Sequence, residues 1–332
     1  MLISIEIDKK NNEIFIFDYF KIKILYKILL LCYFIYIMEK LNFKKLTLKD
    51  KPLFDKYFKK FPPQISEYSF TNLYVWQKSR IIEYTQYEEG LIILATTDDE
   101  KYFLSPIGFK DNKKIINYML EYGQKNNITN TIKRVSEEII KNIKNSGLNI
   151  IEDRDNFDYV YNREDLAFLK GRKFSNKRGF IKKFCANYYH RYWSYNNNKK
   201  CRDKCLKFTD KWFEDRKPID KTLYNEHFAI KEFLNNYNKF NSIGGVICIE
   251  DEIIAYSFGE KLNKNTFVVH FEKGDPKYTG VYQTINKLFV ENDISPKFDY
   301  INREQDLGIS GIRKAKQSYN PAKLIKKFNI TI

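Results

Sequence analysis

The chain has 332 residues, of which 43% are hydrophobic and 17% are aromatic. This composition excludes a disordered chain, which would lack so many large apolar side chains, and the length suffices for one large core or two small ones. The formal net charge of +16 favours partners that carry phosphate, although an AT-rich codon bias toward lysine explains part of the excess equally well.

Residues 1–37 are interpreted as an extension that precedes the folded domains. Their most apolar stretch continues to Met38, and its uncharged run, Ile28–Met38, has only 11 residues, whereas a membrane-spanning helix needs about 20. A secretory signal has its charged residues at the start and small residues at the end, and residues 1–37 do not follow this order. Three interpretations stay open: an interfacial anchor, a weak membrane span, or translated upstream sequence that is not native, with Met38 as an independent start.

The first half of the chain then predicts helices, a meander of strands, and a helix followed by a strand. The spacing of Thr47 and Asp50 is that of a helix-capping box, and apolar residues follow on one helical face. Alternating apolar residues between turn signals predict strands. The strands are expected at 81–87, 91–96, 101–106 and 158–161, and the later helices at 112–122 and 137–146.

The second half repeats this order without a detectable sequence repeat. Helices are expected at 204–213 and 226–237, strands at 242–249, 253–259 and 266–272, a helix at 282–290 and a last strand at 297–301. Such a doubled order predicts an α+β fold with two units, each a mixed, mostly antiparallel sheet flanked by helices. We place the N-terminal domain at 38–165 and the C-terminal domain, with the active cleft, at 166–332.

The loop between strand 266–272 and helix 282–290 has the composition of an anion-binding site. It reads KGDPKYTG and contains Lys273, Lys277 and Gly280. A strand that leads through a glycine-containing loop into a helix presents unpaired backbone N–H groups and the positive end of the helix dipole. The loop is therefore expected to bind a phosphate or the developing oxyanion of an acyl transfer.

Four longer segments, spread over most of the chain, carry a resemblance to a known family. The segments EKGDPKYTGVYQTIN (272–286), YINREQDLGISGIRKAKQSY (300–319), DNFDYVYNREDLAFLKGRKFSNKRGFIKKF (155–184) and FPPQISEYSFTNLYVW (61–76) resemble the family of phosphatidylglycerol lysyltransferase C-terminal domains. The resemblance covers nearly all of residues 40–328. It implies two tandem acetyltransferase-like (GNAT) units and an activity that moves an aminoacyl group from aminoacyl-tRNA to an acceptor.

The chain departs from that family pattern in two ways. The GNAT loop usually has two small residues, whereas here Tyr282 replaces the second one, which makes ordinary coenzyme A binding doubtful. The long polytopic membrane region of the lysyltransferases is missing, which makes a lipid acceptor doubtful. The acceptor is therefore left as an unidentified amine or hydroxyl, either a small molecule or a lipid.

Three residues are the candidate catalytic groups. Glu272 ends its strand and is suited to act as a base or to bind an amine; an ion pair with Lys273 or Arg303 is the alternative. Asp306 belongs to a polar run after the last predicted strand, and the alternative is a surface loop. Tyr319 stands where the resemblance implies a general acid, and an aromatic packing residue is the alternative.

Two further groups of residues complete the predicted site, and no metal ligand is proposed. His270, with a satisfied half-buried histidine as its alternative, belongs to the donor-binding set. That set is His270, Lys273, Lys277, Gly280, Tyr282, Gln283, Asn302 and Arg303. Segments 170–183 and 313–327 hold seven and six basic residues and no acid, which suits tRNA phosphates or simply a solvated helix face. The phosphate-binding set is Lys170, Arg172, Lys173, Lys177, Arg178, Arg313, Lys314 and Lys316.

The leading hypothesis is an acyltransferase that is cytoplasmic or peripheral at the membrane, with aminoacyl-tRNA as donor. One alternative is N-acetylation from acetyl-CoA. Another is a non-catalytic module that binds RNA or an anionic membrane surface through its basic residues. The enzymatic hypothesis requires two strands to part near Lys273. Side chains that fill the resulting gap, or continuous strand pairing around Gly280, would contradict it.

Overall fold

The structure is a computed structural model that describes residues 4–8, 13–17, 26–27, 41–143, 147–216 and 218–332. It divides into two compact units, Met1–Phe43 and Lys44–Ile332. The first unit contains an antiparallel hairpin of β1 (Ser4–Asp8) and β2 (Glu13–Phe17). Most of the apolar stretch 20–38 lies outside the described residues. Within the described ranges, no helix has the length and apolarity needed to cross a membrane.

The second unit contains two seven-stranded sheets, and the first has the order β3-β4-β5-β6-β7-β16-β8. Its strands β6 and β7 are parallel, and the other neighbours are antiparallel. Every residue of β5 except the last is buried, because apolar side chains cover both of its faces. The strands are β3 (Lys44–Lys45), β4 (Ile81–Tyr87), β5 (Gly90–Thr96), β6 (Lys101–Leu104), β7 (Thr131–Ser136), β8 (Asn149–Glu152) and β16 (Lys327–Thr331).

The second sheet has the order β10-β11-β12-β13-β14-β9-β15. Only β13 and β14 are parallel, so this sheet is also mixed and mostly antiparallel. Its strands are β9 (Asp158–Asn162), β10 (Arg191–Ser194), β11 (Ser242–Ile249), β12 (Glu252–Lys261), β13 (Thr266–Gly274), β14 (Tyr300–Asn302) and β15 (Lys323–Ile325). The predicted α+β class with two mixed sheets is confirmed.

Helices flank both sheets, and some of them share a large apolar cluster with strands of both sheets, while others pack in separate clusters. Leu73, Ile93, Phe233 and Phe258 belong to the same buried cluster, which therefore contains side chains from both halves of the chain. The helices are α1 (Lys51–Lys60), α2 (Phe70–Val75), α3 (Asn112–Lys125), α4 (Glu137–Ile143), α5 (Arg163–Phe168), α6 (Ser175–Asn187), α7 (Lys199–Glu214), α8 (Lys221–Asn235), α9 (Val281–Asn292) and α10 (Ser310–Gln317).

The two sheets exchange strands across the sequence. Strand β9 lies in the second sheet, between β14 and β15, although it precedes every other strand of that sheet in sequence. Strand β16 lies in the first sheet, between β7 and β8. The predicted division after residue 165 assigns β9 to the first domain and β16 to the second, whereas sheet membership is the reverse for both strands. The division into domains stays a prediction. Each sheet contains one strand from the other side of the predicted boundary.

The element predictions succeed where the apolar pattern is strong. Strands β4 and β11 have the predicted bounds, and α3, α8 and α9 overlap their predicted segments closely. The last core strand is shorter than predicted and begins later, because only Tyr300–Asn302 pairs with its neighbours. Strands β1, β2, β7, β8, β10, β15 and β16 and helices α2, α5 and α6 were not predicted.

A lysine ammonium is buried between the two sheets and holds them together. The side chain of Lys327 on β16 is fully buried, and its Nζ lies 2.6 Å from Asp158 on β9 and 2.5 Å from Glu67. The second oxygen of Glu67 faces Arg134 on β7 at 3.0 Å. Burial alone would raise the pKa of Glu67, but the charges of Lys327 and Arg134 lower it. Each buried charge thus has an opposite charge in contact.

A second buried ion cluster surrounds His270 on β13. Its Nε2 lies 2.9 Å from Glu260 on β12, and its Nδ1 lies 2.8 Å from Glu304. Ser69, which caps α2, is 3.4 Å from the same Nε2. Burial alone would lower the pKa of His270, but the two carboxylates raise it to about 10. The imidazole is therefore a buried cation at neutral pH, and it links the α2 segment to the second sheet.

We expect Lys327→Met to destabilise the fold by about 3–5 kcal/mol, because two carboxylates would lose their shared buried cation. The matched control is Lys326→Met, whose ion pair with Glu152 is exposed and screened by solvent, so its loss should have little effect on stability. Urea denaturation of the three proteins measures both free energies of unfolding. Equal losses for the two variants would contradict the role of the buried lysine.

The raised pKa of His270 predicts a pH-dependent stability. The stabilisation is complete below the unfolded-state pKa of about 6.5 and is lost as pH rises toward the folded-state value of about 10. The difference in unfolding free energy between the native chain and His270→Gln should therefore narrow by about 1.4 kcal/mol per pH unit in that window. Denaturation series at pH 6.5 to 10 measure it. A constant difference would show that His270 does not titrate as a buried cation.

Candidate functional site

Strands β13 and β14 pair only briefly and then part. They are parallel over Thr266–Val268 and Tyr300–Asn302, after which β14 ends and β13 continues to Gly274. In the part of the chain that the structure describes, no strand pairs with the far half of β13 on this side. The sequence predicted that the strands would part near Lys273, and they part earlier, after Val268.

Glu272 and Arg303 face each other across this gap. The carboxylate of Glu272 on β13 accepts a hydrogen bond from Nη2 of Arg303 at 2.8 Å and one from Nδ2 of Asn286 on α9 at 3.0 Å. Both charged side chains are mostly buried. The ion pair between Glu272 and Arg303 was one of the alternatives that the sequence left open, and it is confirmed.

Two rings and two amines surround the Arg303 guanidinium. It lies 4.9 Å from the ring centre of Tyr319 and 5.7 Å from that of Tyr161. Lys177 on α6 lies over the Tyr319 ring at 4.0 Å, and Lys316 donates to the backbone carbonyl of Arg303. The Glu272 site is defined by these residues, namely Tyr161, Lys177, Glu272, Asn286, Arg303, Lys316 and Tyr319.

The Glu272 site has an excess of positive charge. Arg303, Lys177 and Lys316 bring three basic groups to one carboxylate. Burial, with a smaller effect of the Arg303 charge, lowers the pKa of Lys316 to about 8. Burial also raises the pKa of the Tyr319 hydroxyl, which therefore keeps its proton at neutral pH. Such a site favours a ligand or transition state that carries negative charge.

Two buried polar atoms of the Glu272 site have no hydrogen-bond partner among the residues that the structure describes. They are Nη1 of Arg303, a donor, and Oδ1 of Asn286, an acceptor. Buried polar atoms are nearly always paired, so these two atoms, on the two side chains that bond Glu272, are candidates for contact with a ligand. The gap is filled by these side chains, so the prediction of an open gap is wrong, and by the criterion set from the sequence this conformation speaks against the enzymatic hypothesis. Catalysis at this place requires a ligand that separates Glu272 from Arg303.

The loop that was predicted to bind phosphate packs against other helices. Gly280 has a φ of 95° and precedes α9, so continuous strand pairing around it is excluded. A Cβ at this position would lie 2.3 Å from the carbonyl oxygen of Phe180, so helix α6 covers this side of the loop. Lys277 is exposed, 3.8 Å from Asp215. The loop and helix follow the prediction, and binding of an anion there stays a prediction.

Lys273 and Tyr282 lie in a cluster of their own with α7 and α8. The Nζ of Lys273 lies 2.7 Å from Glu226 and 3.9 Å from the ring centre of Trp212. Burial lowers the pKa of Lys273. The hydroxyl of Tyr282 accepts hydrogen bonds from Trp212 at 3.2 Å and from Arg216 at 3.3 Å. Because side chains alternate along a strand, Lys273 lies on the opposite face of β13 from Glu272. Gln283 is half-buried on α9.

Three other predicted residues are held by the surrounding structure. His270 is the satisfied, buried histidine that the sequence offered as its alternative. Asn302 is fully buried and donates to Asp158 at 3.0 Å. Asp306 is also fully buried and accepts hydrogen bonds from Arg313 at 2.8 Å and from the Tyr159 hydroxyl at 2.6 Å. A catalytic role for Asp306 stays a prediction, and these contacts do not favour it.

The predicted phosphate-binding residues separate into exposed and engaged side chains. Arg178 donates to the carbonyls of Leu169 and Gly171, at 2.5 and 2.7 Å, and so caps the end of α5. Arg313 pairs with Asp155 and Asp306, and Lys173 with Asp165 at 3.0 Å. Lys177 and Lys316 belong to the Glu272 site. The exposed residues are Lys170, Arg172 and Lys314, and Lys182 and Lys183 on α6 are exposed beside them.

Sequence reasoning missed Asn286 and Tyr161, and it grouped Lys177 and Lys316 with the phosphate-binding residues without indicating that they lie beside Glu272 and Arg303; phosphate binding by them stays a prediction. Asn286 was recognisable as a polar residue on the apolar face of α9, next to the buried Ile285. The positions of the two lysines depend on how α6 and α10 pack, which no local pattern reveals. Lys316 belongs to a helix with no buried residue, so the sequence indicated a solvent-exposed lysine there.

Comparisons with known proteins give the family. The family model described as phosphatidylglycerol lysyltransferase, C-terminal, matches residues 58–331. A crystal structure of a conserved protein of unknown function from Bacteroides thetaiotaomicron is 29% identical, with a TM-score of 0.81 over 88% of this chain and 100% of that one. No protein in the curated set matches the sequence.

Two more distant structures share the fold. L-PGS from Bacillus licheniformis is 12% identical, with a TM-score of 0.60. The C-terminal domain of a putative lysylphosphatidylglycerol synthetase from Agrobacterium fabrum is 11% identical, with a TM-score of 0.63. Each alignment covers 85% of this chain and 91% of the other. These two structures show a shared fold, consistent with the predicted tandem GNAT-like units. The family match over residues 58–331 shows that this chain belongs to the phosphatidylglycerol lysyltransferase C-terminal family.

Proposed function

We propose that the protein is an acyltransferase whose reaction takes place at the Glu272 site. Membership in the family and the tandem GNAT fold support acyl transfer in general. The observation that carries the assignment to this site is the pair of unpartnered buried atoms, Nη1 of Arg303 and Oδ1 of Asn286, where β13 and β14 part. A carbonyl oxygen that becomes negatively charged would satisfy the Arg303 donor, and an acceptor amine or hydroxyl would satisfy Asn286.

The residues of the site match the three requirements of the reaction. Arg303, supported by Lys177, stabilises the oxyanion that forms when the acceptor attacks the acyl carbonyl. Glu272 accepts the proton that the acceptor loses, once the incoming carbonyl has taken over the contact with Arg303. The Tyr319 hydroxyl, protonated because burial raises its pKa, donates a proton to the leaving oxygen. Binding must therefore separate the Glu272–Arg303 ion pair that fills the gap.

We propose aminoacyl-tRNA as the acyl donor, with an acceptor amine or hydroxyl that is not yet identified. The support is the exposed basic surface next to the site, formed by Lys170, Arg172, Lys182 and Lys183 around α6 and by Lys314 on α10. Helix α6 also supplies Lys177 to the Glu272 site, so a nucleic acid on this surface would have its acylated end near Arg303. An anionic membrane surface is a second ligand for the same residues.

Acetyl-CoA is the alternative donor, and the structure of the loop disfavours it. Tyr282 occupies the position of a small residue and bonds to Trp212 and Arg216, while Gly280 contacts α6. Isothermal titration with acetyl-CoA tests the alternative directly. Submicromolar binding would overturn the preference for aminoacyl-tRNA.

We expect Arg303→Met to lower the rate of acyl transfer about 10²- to 10³-fold, the usual effect of removing one oxyanion donor. Tyr319→Phe, which keeps the ring beneath Lys177, should lower it about 10²-fold or more if the hydroxyl is the general acid. The measurement is release of labelled amino acid from aminoacyl-tRNA in the presence of cell-extracted small molecules or lipids. Lys326→Met is the control, and thermal melts check that each variant folds.

The non-catalytic alternative makes the opposite prediction for these variants. If the chain only binds RNA or a membrane surface, Glu272→Gln and Tyr319→Phe will leave every measurable activity unchanged. Equal deacylation by the native chain and all three site variants would therefore overturn the enzymatic proposal.

Charge reversal on the exposed basic surface should weaken tRNA binding. We expect Arg172→Glu combined with Lys182→Glu to reduce the slope of log affinity against log salt by about one for each phosphate that the variant no longer neutralises. Fluorescence anisotropy with labelled tRNA at several salt concentrations measures that slope. Lys49→Glu, at an exposed position in the first half, is the matched control, and an unchanged slope in the double variant would contradict the assignment.

A further inference from the structure

In the first sheet two parallel strands also part, as they do in the second, and a partly open cavity lies at that point. Strands β6 and β7 pair over Phe103–Leu104 and Ile132–Lys133, and β6 then ends. Beyond this point lies a cavity of about 350 Å³. The chain after β6, the end of β7 with the start of α4, and the segment after α1 line it. The corresponding gap in the second sheet is filled by the Glu272 site.

A tyrosine hydroxyl keeps the two strands apart. Tyr68 accepts a hydrogen bond from the backbone N–H of Ser105, which follows β6, at 2.8 Å, and donates to the carbonyl of Arg134 on β7 at 3.0 Å. Arg134 has a φ of 61°, which is strained for a residue with a side chain. The opening is thus built into the sheet by a buried side chain and a strained backbone.

The cavity wall is mainly apolar but contains one unsatisfied hydroxyl. Phe58, Phe61, Pro63, Ile107 and Ile139 contribute rings and aliphatic groups. The Oγ of Ser105 also lines the cavity, is buried, and has no hydrogen-bond partner in the described ranges. A buried hydroxyl normally has a partner, so this atom points to a ligand.

Two opposite charges stand at the rim. Lys60 ends α1 and Glu138 begins α4, and both side chains are exposed. Neither forms an ion pair with any residue that the structure describes, although exposed pairs occur at many other positions. A cavity with an apolar interior and one charge of each sign at its mouth is complementary to a zwitterion with an apolar tail.

We propose that this cavity binds a free α-amino acid with a large, mainly apolar side chain. The apolar part of the side chain would occupy the interior and a terminal polar atom of it would bond to Oγ of Ser105, while Lys60 would pair with the α-carboxylate and Glu138 with the α-ammonium. Its volume is sufficient for a leucine- or phenylalanine-sized molecule. The proposal does not depend on the function assigned to the Glu272 site, because it concerns binding in the first sheet.

Isothermal titration of the full chain with three ligands tests the proposal. L-Phenylalanine has both charges, 3-phenylpropionate has only the carboxylate, and phenethylamine has only the ammonium. For a ligand of this size we expect one saturable site with a dissociation constant on the order of 1 mM for L-phenylalanine.

The rim variants should separate the two charges. Lys60→Gln is expected to weaken the binding of L-phenylalanine and 3-phenylpropionate about two- to five-fold and to leave the binding of phenethylamine unchanged. Glu138→Gln should weaken the binding of L-phenylalanine and phenethylamine by a similar factor and leave the binding of 3-phenylpropionate unchanged. The matched controls, Lys59→Gln and Glu137→Gln, should change none of the three. Ile139→Trp, which fills the cavity, should abolish all binding.

Three results would overturn the proposal: no saturable binding of any of the three ligands, equal effects of both rim variants on all three, or binding that survives Ile139→Trp. The rim variants change exposed residues and keep the test valid if the tryptophan variant does not fold. Glu272→Gln should bind L-phenylalanine like the native chain, so a failure of the acyltransferase proposal leaves this result unaffected.

Discussion

The fold depends on a lysine ammonium that is buried where the two sheets meet. Lys327 lies on a strand of the first sheet, Asp158 on a strand of the second, and Glu67 on the segment between the first two helices of the described second unit. A buried cation is costly unless it is paired, and two paired carboxylates would repel each other without it. Ser66 adds a hydrogen bond from its backbone N–H to Asp158 at 2.8 Å. The relative position of the sheets is therefore fixed by charge geometry as well as by the shared apolar core.

The two sheets have the same construction but differ at the point where their parallel strands part. In the second sheet the parting contains Glu272 and Arg303 from opposite sides, and in the first it contains the Tyr68 hydroxyl and a cavity. Charged side chains therefore occupy the gap between the parallel strands of the second sheet, whereas the corresponding gap in the first sheet holds a cavity. Similar architecture in the two sheets does not imply the same chemistry in both, because function depends on the side chains at each site.

The sequence predicted the parts of the fold that local patterns determine. Strands such as Ile81–Tyr87 and Ser242–Ile249 alternate or contain continuous apolar runs between turns, and helix α9 has a clear apolar face. Glu272 was identified from its position at a strand end, with its partner Arg303 among the alternatives. Those inferences required only the order of residues within one or two elements.

Other features depend on partners that are far apart in sequence. The basic segment 313–327 looked like one exposed surface, yet Lys327 is buried and the ammonium of Lys316 donates to the backbone carbonyls of Arg303 and Glu304. The contacts of Lys327 span 169 and 260 residues. Asp306 likewise looked available for catalysis, but Arg313 and Tyr159 saturate it. A charged residue is interpreted as exposed unless its buried counter-charge is known, and one sequence does not show that counter-charge.

The strand exchange has a consequence for how the protein is made. During synthesis, β7 and β8 are complete long before residues 327–331 emerge, yet only β16 joins them. Until then the first sheet lacks β16, and β7 and β8 each have an unpaired edge. Incompletely folded domains with unpaired strand edges commonly misassemble or aggregate. Nascent chains from which residues 327–331 have not yet emerged should accordingly depend on chaperones, and emergence of these residues allows the sheet to close and Lys327 to be buried in one step.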